Sequence, residues 1–148
     1  MAINVTRPDD SHLAAWNELY AGYVDFYQVE QTPAMRDVVW RWIRDDHEEL
    51  ECFLALGQGG ELVGLAHFRE FARPLAASRG GYLDDLFVAP AKRDSGAGQA
   101  LLEAIAGEGR RRGWTVIRWI TASDNQPARG LYDKAAQATA WVTYDLAL

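Results

Sequence analysis

Apolar residues follow two spacings along the chain, and these divide it into helices and strands. From Leu13 to Tyr27, large apolar and aromatic residues recur every three or four positions, which predicts an amphipathic helix. Thr32 and Pro33 are typical of a helix N-cap and first turn, and the apolar spacing after them predicts a second helix ending near Asp46. A third helix is predicted from Gln99, where good helix formers carry apolar residues four apart.

Short apolar runs and apolar-polar alternation predict the strands. Such patterns cover residues 3–6, 51–56, 62–71, 86–88, 115–121 and 141–148. The Gly-Gln-Gly-Gly sequence at 57–60 favours a hairpin turn, whereas residues 73–81 are rich in Ala, Gly, Pro and Ser and are expected to form a loop. Pro127 is expected to open a short helix before the last strand. Hairpins beside crossover helices predict an α/β fold on a mixed sheet.

Length and composition limit the class of protein. The 148 residues are expected to form one domain over 1–148, and 49% apolar with 24% charged residues is typical of a soluble globular protein. No apolar run approaches the ~20 residues of a membrane span, and the N-terminus lacks the pattern of a signal peptide. We therefore expect a cytoplasmic protein with no membrane partner.

Charge and metal-ligand patterns exclude two further classes of partner. A net charge of −6 argues against nucleic acid, and the single basic cluster, residues 110–112, precedes Gly113, where cations complement a helix end. His12 and His47 lack the spacing of a metal site, and His67 lies among alternating apolar residues, as a structural histidine would. We expect no metal, and Cys52 as a small buried apolar residue.

A turn with two glycines joins the apolar run at Leu86 to the third predicted helix. Residues 93–98 read Arg-Asp-Ser-Gly-Ala-Gly and follow Pro90, which ends the strand. Free N–H groups and the positive end of the helix dipole meet there, and the two glycines let a bulky anion approach the backbone. A Walker A loop is excluded because no Lys follows Gly98, and a dinucleotide fingerprint because Leu101 takes its third glycine position. The turn is predicted to hold a diphosphate.

Two motifs in this half of the chain resemble those of one family. Arg93-x-x-Gly96-x-Gly98, after a strand ending in Val-x-Pro, is similar to the acyl-CoA-binding signature of the GNAT N-acetyltransferases. The segment 125–132, Asn-Gln-Pro-Ala-Arg-Gly-Leu-Tyr, resembles the same family's Asn-x-x-Ala-x-x-Leu-Tyr element and follows in the usual order. The resemblance is strong over residues 83–148, and in the N-terminal half only the order of elements matches.

This resemblance implies a fold and a cosubstrate. The fold would be α/β, with a mixed, mostly antiparallel central sheet that is flanked by helices and splayed between its central strands. The cosubstrate would be acetyl-CoA, with its diphosphate at the turn and its pantetheine arm along the central strand. The residues implied in cofactor binding are Leu86, Phe87, Val88, Arg93, Asp94, Ser95, Gly96, Ala97, Gly98, Asn125 and Tyr132. Asp94 replaces a glycine common in the family and is expected to point outward as a helix N-cap.

Two residues are implied in catalysis. Tyr132 matches the family's general-acid position, but a phenol near pKa ~10 is a weak acid toward a thiolate near ~8.5, so we expect mainly a hydrogen-bond donor. Tyr-Leu-Asp-Asp-Leu-Phe-Val resembles a stretch of the diamine acetyltransferases, which implies Asp84 as base and Asp85 as a group that helps hold the acceptor. Strand alternation puts these two carboxylates on opposite faces unless a bulge intervenes. The alternative is that both end the loop and stay solvated.

The acceptor pocket is expected at the distal end of the first helix. Tyr23, Tyr27 and Glu30 would line it with Asp84 and Asp85, the tyrosine faces holding an ammonium group by cation–π contact. The alternative is that the aromatic stripe of this helix is core packing.

Together these features predict an N-acetyltransferase that moves an acetyl group from acetyl-CoA to a primary amine directly, in a ternary complex. A small cationic acceptor, such as a polyamine or an amino-acid-like amine, is favoured. The alternatives are a peptide N-terminus, an antibiotic amine, or a non-catalytic acyl-CoA sensor. A homodimer is expected because surplus tryptophans and a last strand carrying Trp141 would leave apolar surface exposed. Ala135 and Ala136 replace the family's usual Gly-aromatic pair, so the exit of the last helix stays open.

Overall fold

A computed structural model describes residues 2–148 of the chain. The elements in chain order are β1 (Asn4–Thr6), α1 (Leu13–Tyr27), α2 (Pro33–Arg44), β2 (Glu51–Leu56), β3 (Leu62–Arg73), β4 (Ser78–Val88), α3 (Ala97–Arg112), β5 (Ile117–Arg118) and α4 (Gln126–Ala135). The bounds of α1 and β2 are those the spacing predicts, and α2 ends two residues before the predicted end. Over residues 2–148, no helix is long and apolar enough to cross a membrane.

The strands form one sheet in the order β1-β2-β3-β4-β5. The first four are antiparallel neighbours, and β5 runs parallel to β4. Helices α1 and α2 pack on one face around Trp16 and Leu65, and α3 packs on the other around Phe68 and Leu101. The expected α/β fold with a mixed, mostly antiparallel sheet flanked by helices is confirmed.

The sheet opens between β4 and β5. Their pairing consists of Gly81 with Ile117 and Tyr82 with Arg118. From residue 83 to 88, β4 pairs with β3 alone, so the backbone groups on its other edge have no strand partner among the described residues. This opening is the expected splay, and it leaves hydrogen-bonding groups for a ligand at the middle of the molecule.

Residues 73–81 are mostly strand, so the predicted loop is wrong. β3 continues to Arg73 and β4 starts at Ser78, which leaves a short connection between them. The glycines that suggested a loop instead allow close packing: a Cβ on Gly80 would lie 2.9 Å from the Val116 carbonyl oxygen, and one on Gly81 would overlap the Trp114 ring. Conversely, the strand expected over 115–121 contains only the two residues of β5.

The strand expected over 141–148 is also wrong, since this segment pairs with no strand among the described residues. Helix α4 ends at Ala135, Ala136 is extended, and the chain from there is exposed. Apolar residues do alternate with others here, with Val142, Tyr144 and Leu146 at every second position. Such a pattern does not specify which strand, if any, the segment pairs with. Their apolar side chains are exposed to solvent.

Candidate active site

The N-terminus of α3 forms an anion cradle of backbone groups. Gly96 is the N-cap, with a φ of +86°, and a Cβ on it would meet nothing within 4 Å. The N–H groups of Gly96, Gly98 and Gln99 have no acceptor among the described residues, while Ser95 Oγ accepts a bond from the Ala97 N–H at 3.3 Å. Three free donors at a helix N-terminus, beside an open surface, suit a diphosphate.

The two glycines of the cradle differ in role. Gly98 is buried, and a Cβ on it would lie 2.9 Å from Leu131 Cδ2 of α4. Gly98 therefore permits α3 to approach α4, whereas Gly96 supplies the left-handed turn and the open surface.

Asp94 is not the N-cap, so that expectation is wrong. It has a φ of +68° and is exposed in the turn before Gly96. The turn has left-handed backbone at both Asp94 and Gly96, and Asp tolerates that region better than most residues with a Cβ. Arg93 next to it turns toward α1, where its guanidinium carbon lies 4.6 Å from the centroid of the Phe26 ring.

Helix α4 brings two candidate residues to the same region. Asn125 is its N-cap: Oδ1 accepts from the Ala128 N–H at 3.5 Å, and Nδ2 donates to the Tyr27 hydroxyl oxygen at 3.4 Å. Tyr132 lies two turns along, with its ring 5.3 Å from that of Trp119. Burial, with a smaller contribution from Tyr27, raises the pKa of Tyr132 to about 12. The phenol therefore keeps its proton and can donate a hydrogen bond at any working pH.

The C-terminal half of α1 lies against β4 and reaches both cofactor motifs. The Tyr23 ring meets Phe87 edge-on at 5.3 Å, and Tyr27 touches Asn125. Glu30, in contrast, is exposed in the connection after α1, and no hydrogen bond or ion pair joins it to the other candidates within residues 2–148. The structure thus brings Tyr23 and Tyr27 to the site but leaves Glu30 at its margin.

A β-bulge determines where the two aspartates point. His67 pairs with Asp85 and Phe68 with Leu83, so Asp84 is an extra residue in β4. Because of this insertion both carboxylates lie on the α1 face of the sheet, each beside a residue of β3. Asp84 Oδ2 accepts from Arg69 Nε at 3.0 Å, and Asp85 bonds to His67.

Asp85 is the centre of a buried polar network. Its Oδ2 lies 2.8 Å from His67 Nδ1 and accepts from the Tyr20 hydroxyl at 3.0 Å. The Tyr23 hydroxyl faces the same carboxylate. Behind His67, Trp16 Nε1 donates to His67 Nε2 at 3.0 Å. His67 is fully buried, and the Asp85 side chain is 20% exposed.

The pKa values of the two aspartates move in opposite directions. Burial raises the pKa of Asp84 and outweighs the Arg69 contact. Burial also acts to raise the pKa of Asp85, but the hydrogen bonds that this carboxylate accepts from His67, Tyr20 and Tyr23 lower it and outweigh the effect of burial. Burial and the Asp85 charge raise the pKa values of both tyrosines, which keeps them as donors. Asp85 is therefore a stable anion with its donors already in place.

Sequence reasoning missed the residues behind Asp85. Trp16 and Tyr20 belong to the aromatic stripe of α1, from which the sequence assigns only Tyr23 and Tyr27 to the acceptor pocket, and His67 has the sequence surroundings of a structural histidine. The available signal was a histidine in one predicted strand and a carboxylate in the next. Their contact depends on the strand register, which the bulge at Asp84 shifts by one residue.

Comparison with known proteins agrees with this geometry. Residues 16–136 match the acetyltransferase (GNAT) family. The chain is 26% identical over 145 residues to the D-amino-acid N-acetyltransferase HPA3 of Saccharomyces cerevisiae, and the match covers 97% of this chain and 89% of the relative.

Solved structures share the fold over the full chain. The aminoglycoside acetyltransferase HMB0005, from an uncultured soil metagenomic sample, has a TM-score of 0.80 and 26% identity, with 100% of this chain and 99% of that one covered. AAC(6')-Iy, in complex with a bisubstrate analog that contains CoA, has a TM-score of 0.80 at 18% identity, with the same coverage. The family match and the open sheet together establish that this chain belongs to the GNAT family of acetyl-CoA-dependent N-acetyltransferases.

Proposed function

We propose that the protein acetylates the primary amine of a small cationic acceptor by direct transfer from acetyl-CoA in a ternary complex. The main support for this proposal is the Asp85 carboxylate, which is ionised and partly exposed among tyrosines on the α1 face of β4. A carboxylate beside aromatic rings binds an ammonium group by charge and by cation–π contact. The net charge of −6 also favours a cationic acceptor.

The cosubstrate supplies an acetyl thioester, and the chain offers groups for each of its parts. The free N–H groups at Gly96, Gly98 and Gln99 would hold the diphosphate, with Arg93 adding positive charge. The unpaired edge of β4 at 86–88, that is Leu86, Phe87 and Val88, would bond the pantetheine arm and donate to the thioester oxygen as negative charge develops there. Asn125 would bond the pantetheine amides.

The transfer itself needs a proton acceptor and a stabilised leaving group. The acceptor nitrogen forms a bond to the acetyl carbon, the carbon–sulfur bond breaks, and its electron pair stays on sulfur. Asp84, whose pKa is raised, would take the proton from the amine, while Asp85 stays charged and holds the cation. Tyr132 would donate a hydrogen bond to the departing thiolate.

The acceptor class is the finer part of the proposal. A polyamine or an amino-acid-like amine offers the ammonium group that the Asp85 carboxylate would bind, and the relative HPA3 is named for D-amino acids. An antibiotic amine is the second candidate, because HMB0005 is named an aminoglycoside acetyltransferase. A peptide N-terminus, or acyl-CoA sensing without turnover, would be the remaining outcomes.

An acceptor screen tests this function. The protein is incubated with acetyl-CoA and, separately, spermidine, lysine, D-amino acids, an aminoglycoside and a short peptide, and the released thiol is measured. We expect turnover with one of the small amines. Turnover with the peptide alone would overturn the acceptor class, and acetyl-CoA binding without any turnover would favour the sensor.

We also propose a homodimer. The apolar side chains of residues 141–148 are exposed in one chain, and a second copy would cover them.

A further inference from the structure

The buried histidine behind the anionic site has a defined proton position. We propose that His67 is a positioning residue for Asp85: Trp16 fixes its neutral Nδ1–H form, so that Asp85 receives a permanent hydrogen bond and keeps its full negative charge for the acceptor ammonium. The role of the ammonium rests on the function proposed above. The hydrogen-bond chain from Trp16 through His67 to Asp85 carries the inference.

The donors and acceptors along this chain can be assigned from chemistry. An indole N–H can only donate, so His67 Nε2, 3.0 Å from Trp16 Nε1, must accept and carries no proton. The proton of the neutral ring is then on Nδ1, 2.8 Å from Asp85 Oδ2. The Trp16 and Tyr20 rings flank the imidazole at centroid distances of 5.8 and 4.8 Å, which hold it in this orientation.

The neutral form matters because of the charge it leaves in the site. A protonated His67 would form an ion pair with Asp85, and the pair would have no net charge. A neutral His67 leaves a charge of −1 on Asp85, while the charge of neighbouring Asp84 is already matched by Arg69. The hydrogen bond from Trp16 keeps Nε2 unprotonated and His67 neutral. The negative charge of Asp85 is therefore not compensated and can attract an ammonium group.

The geometry of the carboxylate also suits a cation. His67 and Tyr20 both bond to Oδ2, and no hydrogen bond within residues 2–148 is formed to Oδ1, which is therefore the oxygen available to an incoming ammonium group. The titratable groups facing Asp85 are Tyr20 and Tyr23 from α1, His67 from β3, Asp84 from β4 and, further away, the buried thiol of Cys52 in β2.

The first test is the tautomer itself, measured on the wild-type protein without any turnover. Two-bond ¹⁵N–¹H correlation spectra of histidine report which ring nitrogen carries the proton. The His67 signals can be assigned because they disappear in His67→Asn, leaving those of His12 and His47. We expect a proton on Nδ1 alone from pH 5.5 to 8. A proton on Nε2, or a doubly protonated ring at pH 7, would overturn the inference.

The second test separates positioning from packing. In His67→Asn the amide nitrogen takes the place of Nδ1 and can still donate to Asp85, whereas His67→Phe cannot. We expect His67→Phe to raise the acceptor KM about 10- to 100-fold, the loss for one hydrogen bond to a charged group, and His67→Asn to restore most of it. The Kd for acetyl-CoA should stay unchanged in both. Equal KM values in both variants would mean that His67 only packs.

The third test uses pH. Trp16→Phe removes the donor to Nε2, so His67 can gain a second proton and neutralise the site. We expect the acceptor KM of this variant to rise as the pH is lowered, a change that the wild type lacks. Identical pH profiles would contradict the role of Trp16.

Failure of the proposed function would look different. If the wild type acetylates no amine, spermidine binding by calorimetry replaces KM as the readout. Weaker spermidine binding in His67→Phe than in His67→Asn would then support the inference, and equal binding would overturn it.

Discussion

Burial of the Tyr132 hydroxyl weakens it as an acid but preserves it as a hydrogen-bond donor. A pKa raised to about 12 makes the phenol a poorer proton source, but it guarantees a proton to donate at every pH below about 11. A group of this kind stabilises charge as it forms on sulfur and does little for bound acetyl-CoA, whose sulfur is neutral. The role proposed for Tyr132 is therefore one in the transition state.

We expect Tyr132→Phe to lower kcat about 10- to 1,000-fold while the Kd for acetyl-CoA stays close to the wild-type value. Steady-state kinetics and calorimetry measure the two quantities. Tyr144→Phe is the matched control, because it removes the same hydroxyl from an exposed position and should change neither. A wild-type kcat in Tyr132→Phe would assign Tyr132 to packing against Trp119.

One bulge puts the two adjacent aspartates on the same face of the sheet but in different surroundings. Both lie on the α1 face, yet burial raises the pKa of Asp84, and the donors around Asp85 lower its pKa. As the pH rises from acid, Asp85 therefore ionises first and Asp84 later. The order suits a site that must bind a cation before it removes a proton.

Asp84→Asn tests the second of these roles. Without the carboxylate the reaction depends on amine that is already deprotonated, so the loss in kcat/KM, about 100-fold near pH 7, should narrow as the pH rises toward the amine pKa. The pH profile of kcat/KM measures this, with Asp46→Asn, an exposed residue beyond α2, as the control. A loss of the same size at every pH would contradict the role of Asp84 as base.

Among the elements, the cradle at the start of α3 depends most on one residue. Gly96→Ala places a methyl group at the open surface where the diphosphate is expected, and it also strains a backbone with φ of +86°. Gly60→Ala is a matched control: its φ is +82°, its Cβ also meets nothing within 4 Å, and it lies in the β2–β3 turn. Each of the two variants should lose about 1 kcal/mol of its free energy of unfolding.

Only Gly96→Ala should weaken acetyl-CoA binding, by about 10-fold or more, measured by calorimetry beside thermal unfolding of each variant. Equal Kd values for the two variants would place the diphosphate elsewhere. Gly98 is unsuited to this test, because its substitution would press on Leu131 and disturb the contact between α3 and α4.

Element prediction worked where the signal is local and failed where it is not. The 3.6-residue spacing predicts both ends of α1, and the turn with two glycines predicts the start of α3 to within two residues. The strand over 141–148 failed because alternation does not say which strand will pair with it. For Asp84 and Asp85 the alternation pattern left two outcomes open, because a bulged residue changes the phase of a strand and cannot be located from the pattern; the structure has such a bulge at Asp84.

On the scale of the whole molecule, residues 137–148 stand out because they are exposed and belong to no helix or strand. Val142, Tyr144, Leu146 and Leu148 form the apolar set of an alternating segment, and their side chains are 76% to 117% exposed. Single exposed apolar residues are ordinary, but a continuous set of this size is typical of an interaction surface. A second copy carries the same set, and a two-fold axis would let each chain cover the other.

We therefore expect the wild type to sediment as a dimer at micromolar concentration and a chain truncated after Ala136 to sediment as a monomer. Tyr144→Asp puts a charge into the apolar set and should also give a monomer, whereas Thr143→Asp puts the same charge at a polar position next to it and should leave the dimer intact. Sedimentation velocity distinguishes the two species, and unfolding curves check that each variant is folded. A wild type that stays monomeric would contradict an interface built on this apolar set, because nothing would then cover it. A Thr143→Asp variant as disrupted as Tyr144→Asp would contradict it as well, because the polar and the apolar positions of the segment would then matter equally.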